Sequence, residues 1–316
     1  MFFVSSVVTP NSYKIGVDGG GTKTELILVD AAGGIVARHL APGCNPSQIG
    51  PEPARAILVE GLAALLAQLK AEDPKPAIAT TRLYMAGSPV FWREVAGALA
   101  GFGEVTSAAD SEPVLELATG GAPGLVLHAG TGSFVVTRSP DGAVHYTGGL
   151  GWKFGDPGSG FDLGRRALAL ALLELQAASP LSAAKPSALA EALCNHTGLL
   201  DYPANSRFFY NDPAANAKIA TFAPRVLALA EQDCGPAQQV VADSLTELAR
   251  LADGVIHKYF PQPPAKIPCG VSGRILNSPP GAYAVRSLAN KLDWPVELHF
   301  ITTPPIEGVR RLLMKP

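Results

Sequence analysis

Four cysteines in 316 residues, at positions 44, 194, 234 and 269, stand far apart, and no CxxC pair occurs. That scarcity argues against a zinc site or a disulfide framework, and the thiols read as buried or incidental ones of a reducing compartment. Charge is also sparse. Only 16% of residues are charged, and 25 Lys and Arg against 27 Asp and Glu leave a net charge of −2. Such a chain has no electrostatic footprint for nucleic acid or an anionic membrane, so a site for a polyanion has to be local. No uninterrupted apolar run is long enough to span a bilayer. The opening "MFFVSSVVTPNS" is apolar but short and carries no Lys or Arg, so it is not read as a signal peptide. The expectation is a cytoplasmic protein.

What is present is core. Hydrophobic residues make up 47% of the chain, and the length favours about two domains. "YKIGVD" (13–18), "TELILVD" (24–30) and "IVARHLA" (35–41) read as three strands of a meander, bounded by Gly and Asp. A helix at 52–70 follows, closed by Lys70. Then come a buried strand "TRLYMAG", a helix "VFWREVAGAL", a strand "GEVTSAAD" running into Asp110, and a helix "EPVLELATG". A second series opens at 124–149 with strand, Gly/Thr/Ser turn, strand, "SPDG" turn and strand. Helices from "RRALALALLEL" onward include "DSLTELARLADGVIHKYF". "KIPCGVSG" and "VELHF" read as late strands, and "PIEGVRRLLM" as a closing helix. Two halves thus begin with the same hairpin architecture without sharing its sequence. They are expected to be two related α/β domains whose glycine turns face one cleft.

Those turns carry the chemistry. Gly19, Gly20 and Gly21 allow positive φ and let a ligand approach the backbone without meeting a Cβ. Successive N–H groups in such a turn make a concave anion site, for which phosphate is the common occupant. Thr22 and Thr24 add hydroxyls and Lys23 a positive charge. Asp18 repels phosphate directly but can hold Mg²⁺, usually through waters. The second turn, "HAGTGSF" (128–134), repeats the pattern with Gly130, Thr131, Gly132 and Ser133. One such turn is compatible with an ordinary glycine-rich hairpin; two, each in the first hairpin of a domain, read as a phosphate clamp. A P-loop or a dinucleotide fingerprint would need a helix after the glycines. Here a strand follows each time, and neither motif is present.

These motifs resemble the sugar kinases of the actin-like ATPase fold, in particular the N-acetylglucosamine kinase / BadF-BadG-BcrA-BcrD ATPase group. The resemblance runs from Tyr13 to the end of the chain. It rests on "VDGGGTKTELILVD" and "AGTGS" as phosphate motifs, and on "GGLGWKFGDPGSGFDLGRRAL", which resembles a GGWG…GDEGS…G stretch. "CGVSG" resembles an adenosine-side glycine loop, and "PPIEGVRRL" a closing helix. The resemblance implies two ribonuclease H-like (actin-like ATPase) domains with an interdomain cleft for ATP and sugar. They would cover 13–117 and 118–303, with a helix at 304–316 packing back on the first. It implies ATP contacts from Gly20, Gly21, Thr22, Lys23, Thr131, Gly132, Ala220 and Gly270, and Mg²⁺ near Asp18. Sugar contacts are implied for Asn45, Asp110, Ser133, Gly149, Leu150, Gly151 and Asp156, with Asp110 as general base and a homodimer as the assembly.

Local sequence leaves other roles open. Asp110 suits a helix N-cap equally well, and Asn45 and Asp156, each before a proline, suit turns. Leu150 stands where the family has Trp, although Trp152 lies two positions on, and Pro157 stands where it has Glu. Both departures fall near the sugar, so the acceptor is open among N-acetylglucosamine, glucosamine and other hexoses. Two further classes share the fold. One is the ATPase activators of 2-hydroxyacyl-CoA dehydratases and benzoyl-CoA reductases, whose iron–sulfur cysteines have no counterpart just after the second phosphate turn here. The other is a non-catalytic sugar sensor.

Overall fold

The computed structural model describes residues 12–69, 77–177, 185–262 and 266–315. The apolar opening up to Asn11, and Lys70, expected to close a helix, lie outside the described residues. The chain divides into two compact units: the described residues up to Leu117 together with those from Thr303, and Ala118–Thr302.

The first unit holds strands β1 (Ser12–Gly19), β2 (Lys23–Val29), β3 (Ile35–Pro42), β4 (Ala77–Met85) and β5 (Glu104–Ala109). Its helices are α1 (Pro46–Ile49), α2 (Pro51–Leu66), α3 (Pro89–Ala98) and the start of α4 (Ser111–Thr119). The second holds β6 (Gly124–Ala129), β7 (Ser133–Arg138) and β8 (Val144–Gly148), then α5 (Gly160–Ala177) and α6 (Ala188–Thr197). It continues through α7 (Tyr202–Tyr210), α8 (Ala215–Ala220), α9 (Ala223–Glu231) and α10 (Gly235–Tyr259). β9 (Ile267–Ser272), α11 (Pro279–Lys291) and β10 (Val296–Phe300) complete it, and α12 (Pro305–Leu313) belongs to the first unit.

Each unit is an α/β layer built on one mixed five-stranded sheet. The orders, β3-β2-β1-β4-β5 and β10-β9-β6-β7-β8, are the same when the second is read backwards. In each, the first three strands form an antiparallel meander, and the last two join parallel to the first. The expected repeat of architecture is therefore present strand for strand. Helices α2 and α5 start earlier than the apolar periodicity suggested. Pro51 at the first turn of α2 and Ser159, whose hydroxyl accepts the Asp162 N–H, set those starts. The short α1 was not anticipated.

The sheet of the first unit is covered on both faces. On one face Ile15, Val17, Leu26 and Leu28 pack against Leu58, Leu62 and Leu65 of α2 and Trp92 and Val95 of α3. On the other, Ile27, Val29 and Tyr84 meet Ile306, Val309, Leu312 and Leu313 of α12. Gly16 makes that second face possible, because a Cβ there would run into Val309 and Leu313. Polar ties hold α12 as well: Lys14 donates to the Leu313 carbonyl at 2.7 Å and Arg82 to that of Leu312 at 2.9 Å. The second unit buries one large cluster, with Leu125, Leu127 and Val135 beneath apolar stripes of α5, α9 and α10. Among the described residues no helix is long and apolar enough to cross a membrane.

Gly308 of α12 lies so close to α4 that a Cβ would overlap the Pro113 carbonyl oxygen. Overpacking against backbone costs about 1–3 kcal/mol, so Gly308→Ala should lower the unfolding free energy by that amount in urea titration. A variant as stable as the parent would mean that α12 is not seated here.

Candidate functional site

The first glycine turn joins β1 to β2 and is closed by the Gly20 N–H donating to the Lys23 carbonyl at 2.9 Å. A second segment supports it from behind. Gly43 lies against the Gly21 carbonyl so closely that no Cβ fits, and the Cys44 N–H donates to the Gly20 carbonyl at 3.1 Å. A Cβ on Gly21 would stand 2.7 Å from Gln48 Oε1. Gln48, which the sequence reading passed over, therefore belongs to this site. Asn45 caps α1, its side-chain oxygen accepting the Ser47 N–H at 3.0 Å. That oxygen also faces Gly87, which follows β4 with φ of 96°.

The side chains of this turn divide. Thr22 and Lys23 are exposed, and the Lys23 ammonium pairs with Glu25 at 2.9 Å while Arg38 takes the other Glu25 oxygen at 3.1 Å. The Thr24 hydroxyl, expected to face a ligand, is fully buried, donates to the Pro42 carbonyl at 2.8 Å and lies 3.0 Å from Cys44 Sγ. It fastens the turn to its support.

Asp18 sits one residue before the turn, in register with Glu25 on β2 and Tyr84 on β4. Burial lifts its carboxyl to about 7, with the negative charge of Asp110 adding to the effect. Asp110 follows β5, at the N-terminus of α4. Burial raises its carboxyl to about 6, against the opposing pull of the backbone N–H groups of Asp110 and Ser111. The Ser111 hydroxyl beside it is buried and has no partner among the described residues. Two half-buried carboxyls, each raised by burial and Asp18 further by the charge of Asp110, suit a hard divalent cation with few protein ligands, because a cation restores their charged form. The donor set fits Mg²⁺.

In the second unit the turn between β6 and β7 is closed by the Gly130 N–H donating to the Gly132 carbonyl at 2.8 Å. Around it the fold gathers several of the expected residues. Asp156 is 7% exposed and accepts the Gly151 N–H at 3.0 Å, and its other oxygen lies 3.4 Å from where a Gly132 Cβ would stand. The Gly160 N–H donates to the Gly130 carbonyl at 2.8 Å, and the Ala220 carbonyl flanks Gly160. Ser133 is 3% exposed; its carbonyl accepts the Gly149 N–H at 3.1 Å, while its buried hydroxyl has no partner among the described residues. Leu150, in contrast, is 67% exposed.

Two further sequence expectations need correction. None of Gly19, Gly20, Gly21, Gly130 and Gly132 has a left-handed φ; these glycines serve close approach rather than unusual dihedrals. Gly270, expected to leave room for a nucleoside, is buried mid-strand in β9. A Cβ there would press on Ala118 and Ile301, each 2.7 Å away, so its bareness serves packing. The loop glycine of "CGVSG" is Gly273, with φ of 91° and no space for a Cβ over the Ala129 carbonyl. Next to it Ser272 bonds His128 Nδ1 at 2.8 Å.

Compared with known proteins, residues 15–271 match the model of the BadF/BadG/BcrA/BcrD ATPase family. The N-acetyl-D-glucosamine kinase of Dictyostelium discoideum is 28% identical over 163 residues, 48% of this chain and 51% of that protein. The N-acetylmuramic acid/N-acetylglucosamine kinase of Clostridium acetobutylicum is 27% identical over 164 residues, 51% of this chain and 53% of that one. The matched stretch thus spans about half the length of each curated relative. A Chromobacterium violaceum crystal structure, provisionally named an N-acetylglucosamine kinase, superposes with a TM-score of 0.72 at 27% identity. It covers 96% of this chain and 99% of that one.

The raised Asp18 carboxyl has a consequence for stability. A folded-state pKa of about 7 against a reference of 3.8 means that the charged form opposes folding. This group's contribution is fully present below about pH 4 and is lost as pH rises through about 7. In metal-free buffer at pH 8, Asp18→Asn should therefore raise Tm by about 2–4 °C, and by much less at pH 4. Scanning calorimetry at the two pH values checks this; equal shifts would show that Asp18 is not desolvated.

Proposed function

The chain belongs to the BadF/BadG/BcrA/BcrD ATPase family, and on that premise we propose that it is an ATP-dependent kinase of amino sugars, with N-acetylglucosamine phosphorylated at its 6-hydroxyl. The observation that carries this reading is the carboxyl pair beside the first glycine turn. Asp18 and Asp110 are raised to about 7 and about 6, the environment expected of a cation holder and a base. The curated relatives' names add the sugar class.

In this reading Asp110 accepts the proton of the acceptor hydroxyl. The acceptor oxygen bonds to the γ-phosphorus of ATP as the bond to the bridging oxygen breaks, leaving ADP and the sugar phosphate. A base near pH 6 is mostly ionised at neutral pH yet still takes up a proton readily. Asp18 would hold Mg²⁺ through water, and bound Mg²⁺ screens the phosphate charge. The exposed Thr22, and Lys23 once it leaves Glu25, supply donors at the first turn; Thr131 and the N–H groups around Gly132 do so at the second. The unpaired Ser133 hydroxyl and the remaining lone pairs of Asp156 serve acceptor hydroxyls. The Asn45 amide nitrogen is left for the same purpose, since its oxygen is engaged by the cap. An ATP-consumption assay over amino and neutral hexoses tests the reading, and turnover with none of them would sink it.

Two substitutions probe the roles separately. Asp110→Asn keeps size and hydrogen bonding but cannot take the proton, so kcat should fall about 10²–10⁴-fold with little change in sugar or nucleotide affinity. If Asp110 only caps α4, Asn is an equally good cap, and a kcat within about threefold of the parent would show it. Gly132→Val should fold, since its φ is not left-handed and the nearest neighbour of its Cβ is Asp156 Oδ2 at 3.4 Å. The branched side chain should crowd approaching phosphate and weaken ATP binding roughly tenfold or more, the value of a hydrogen bond to a charged group. Titration calorimetry reads this directly, and unchanged affinity would reduce the second turn to a turn.

A further inference from the structure

Asp156 stands in a segment that has little stiffness of its own. Gly148, Gly149, Gly151, Gly155 and Gly158 all have left-handed φ, and such glycines are the most mobile of residues when unfastened. Yet the Asp156 carboxylate is buried and directed at Gly151 and Gly132. Something outside the segment must hold it.

The Gly149 and Gly160 N–H groups tie the ends of the segment to the first hairpin, and α10 holds the stretch beside Asp156. The Gly158 N–H donates to Ser244 Oγ at 3.0 Å, across 86 residues of sequence. The Ser244 hydroxyl in turn donates to Asp162 Oδ2 at 2.6 Å. Asp162 is 4% exposed and is fixed by Arg165 at 2.9 Å and Arg166 at 2.9 Å; Arg166 reaches on to Glu247 of α10 at 2.7 Å. Gly158 lies flat on the helix, since a Cβ would approach Leu248 at 2.9 Å. Ser244 is itself out of place by composition. The buried stripe of α10 is otherwise Ala, Val, Leu and Ile, and Ser244 is its one polar member and fully buried. A buried hydroxyl is costly unless bonded, and this one uses its proton on Asp162 and a lone pair on the Gly158 N–H.

We propose that Ser244, backed by Asp162, is a positioning residue that holds the Asp156 segment in its acceptor-binding geometry. The role assigned to Asp156 rests on the kinase reading above; the hold itself does not. Because Asp156 contacts the acceptor before and during transfer, loosening it removes uniform binding and raises KM with little effect on kcat.

The experiment compares Ser244→Ala with Val241→Ala, a neighbour in the same buried stripe that lacks the hydrogen bonds. Hydrogen exchange read by mass spectrometry should show the 148–160 peptides exchanging about tenfold faster in Ser244→Ala and at the parent rate in Val241→Ala, with the rest of unit two protected in both. Steady-state kinetics should show the acceptor KM of Ser244→Ala raised about tenfold, with kcat and the ATP KM within about threefold. Equal exchange in the two variants overturns the proposal, as does a loosened segment with an unchanged acceptor KM. If the parent turns over no sugar, the kinase reading falls, while exchange still decides whether Ser244 holds the segment.

Discussion

Backbone set against backbone, where most proteins interpose a side chain, is the constraint on which both units are built. Gly43 presses on the Gly21 carbonyl and Gly273 on that of Ala129, with no room for a Cβ at either contact. These approaches set peptide group against peptide group behind each first hairpin, and the Thr24 and Ser272 hydroxyls add to the hold. Thr22 and Thr131 remain exposed on these turns. A bulky side chain inside either contact would push the turn away from its support, and the carboxyls beside it would lose their setting.

Electrostatics follows from that packing. Asp18 is carried on a strand with neighbours on both sides, so the sheet withholds water from its carboxyl. Asp110 lies close enough for its charge to be felt there. Two such groups are poor company for each other and good company for a cation and an exchangeable proton. The backbone N–H groups at the start of α4 favour the ionised form of Asp110 and keep its pKa the lower of the two. The two aspartates therefore differ in acidity through their surroundings alone.

In the second unit the same problem is solved with buried hydroxyls. Ser159 caps α5, Ser244 joins Gly158 to Asp162, and Ser272 engages His128. Burial lowers the His128 imidazole to about 4, so it is neutral and its ring stacks on Phe134 with centroids 4.7 Å apart. Around a glycine-rich turn these bonds supply the rigidity that the turn's own residues lack.

Much was legible in the sequence because it is local. Short aliphatic runs in "TELILVD" and "GLVLHA", the Gly and Asp that bound them, and the strand after each glycine turn determine two β-meanders and exclude a P-loop. Asp18 and Asp110 drew attention by their places at strand ends, whereas Asn45 and Asp156 were singled out only by the family resemblance. Tertiary structure decided the rest, since it depends on partners far away in the chain. Whether a glycine is bare for a ligand or for packing cannot be read from its own segment, and the bareness of Gly270 proved to serve packing. Thr24 turned inward because Pro42 and Cys44 stand beside it. Gln48 and Ser244, ordinary in sequence, acquired their positions only when their helices packed against the turns.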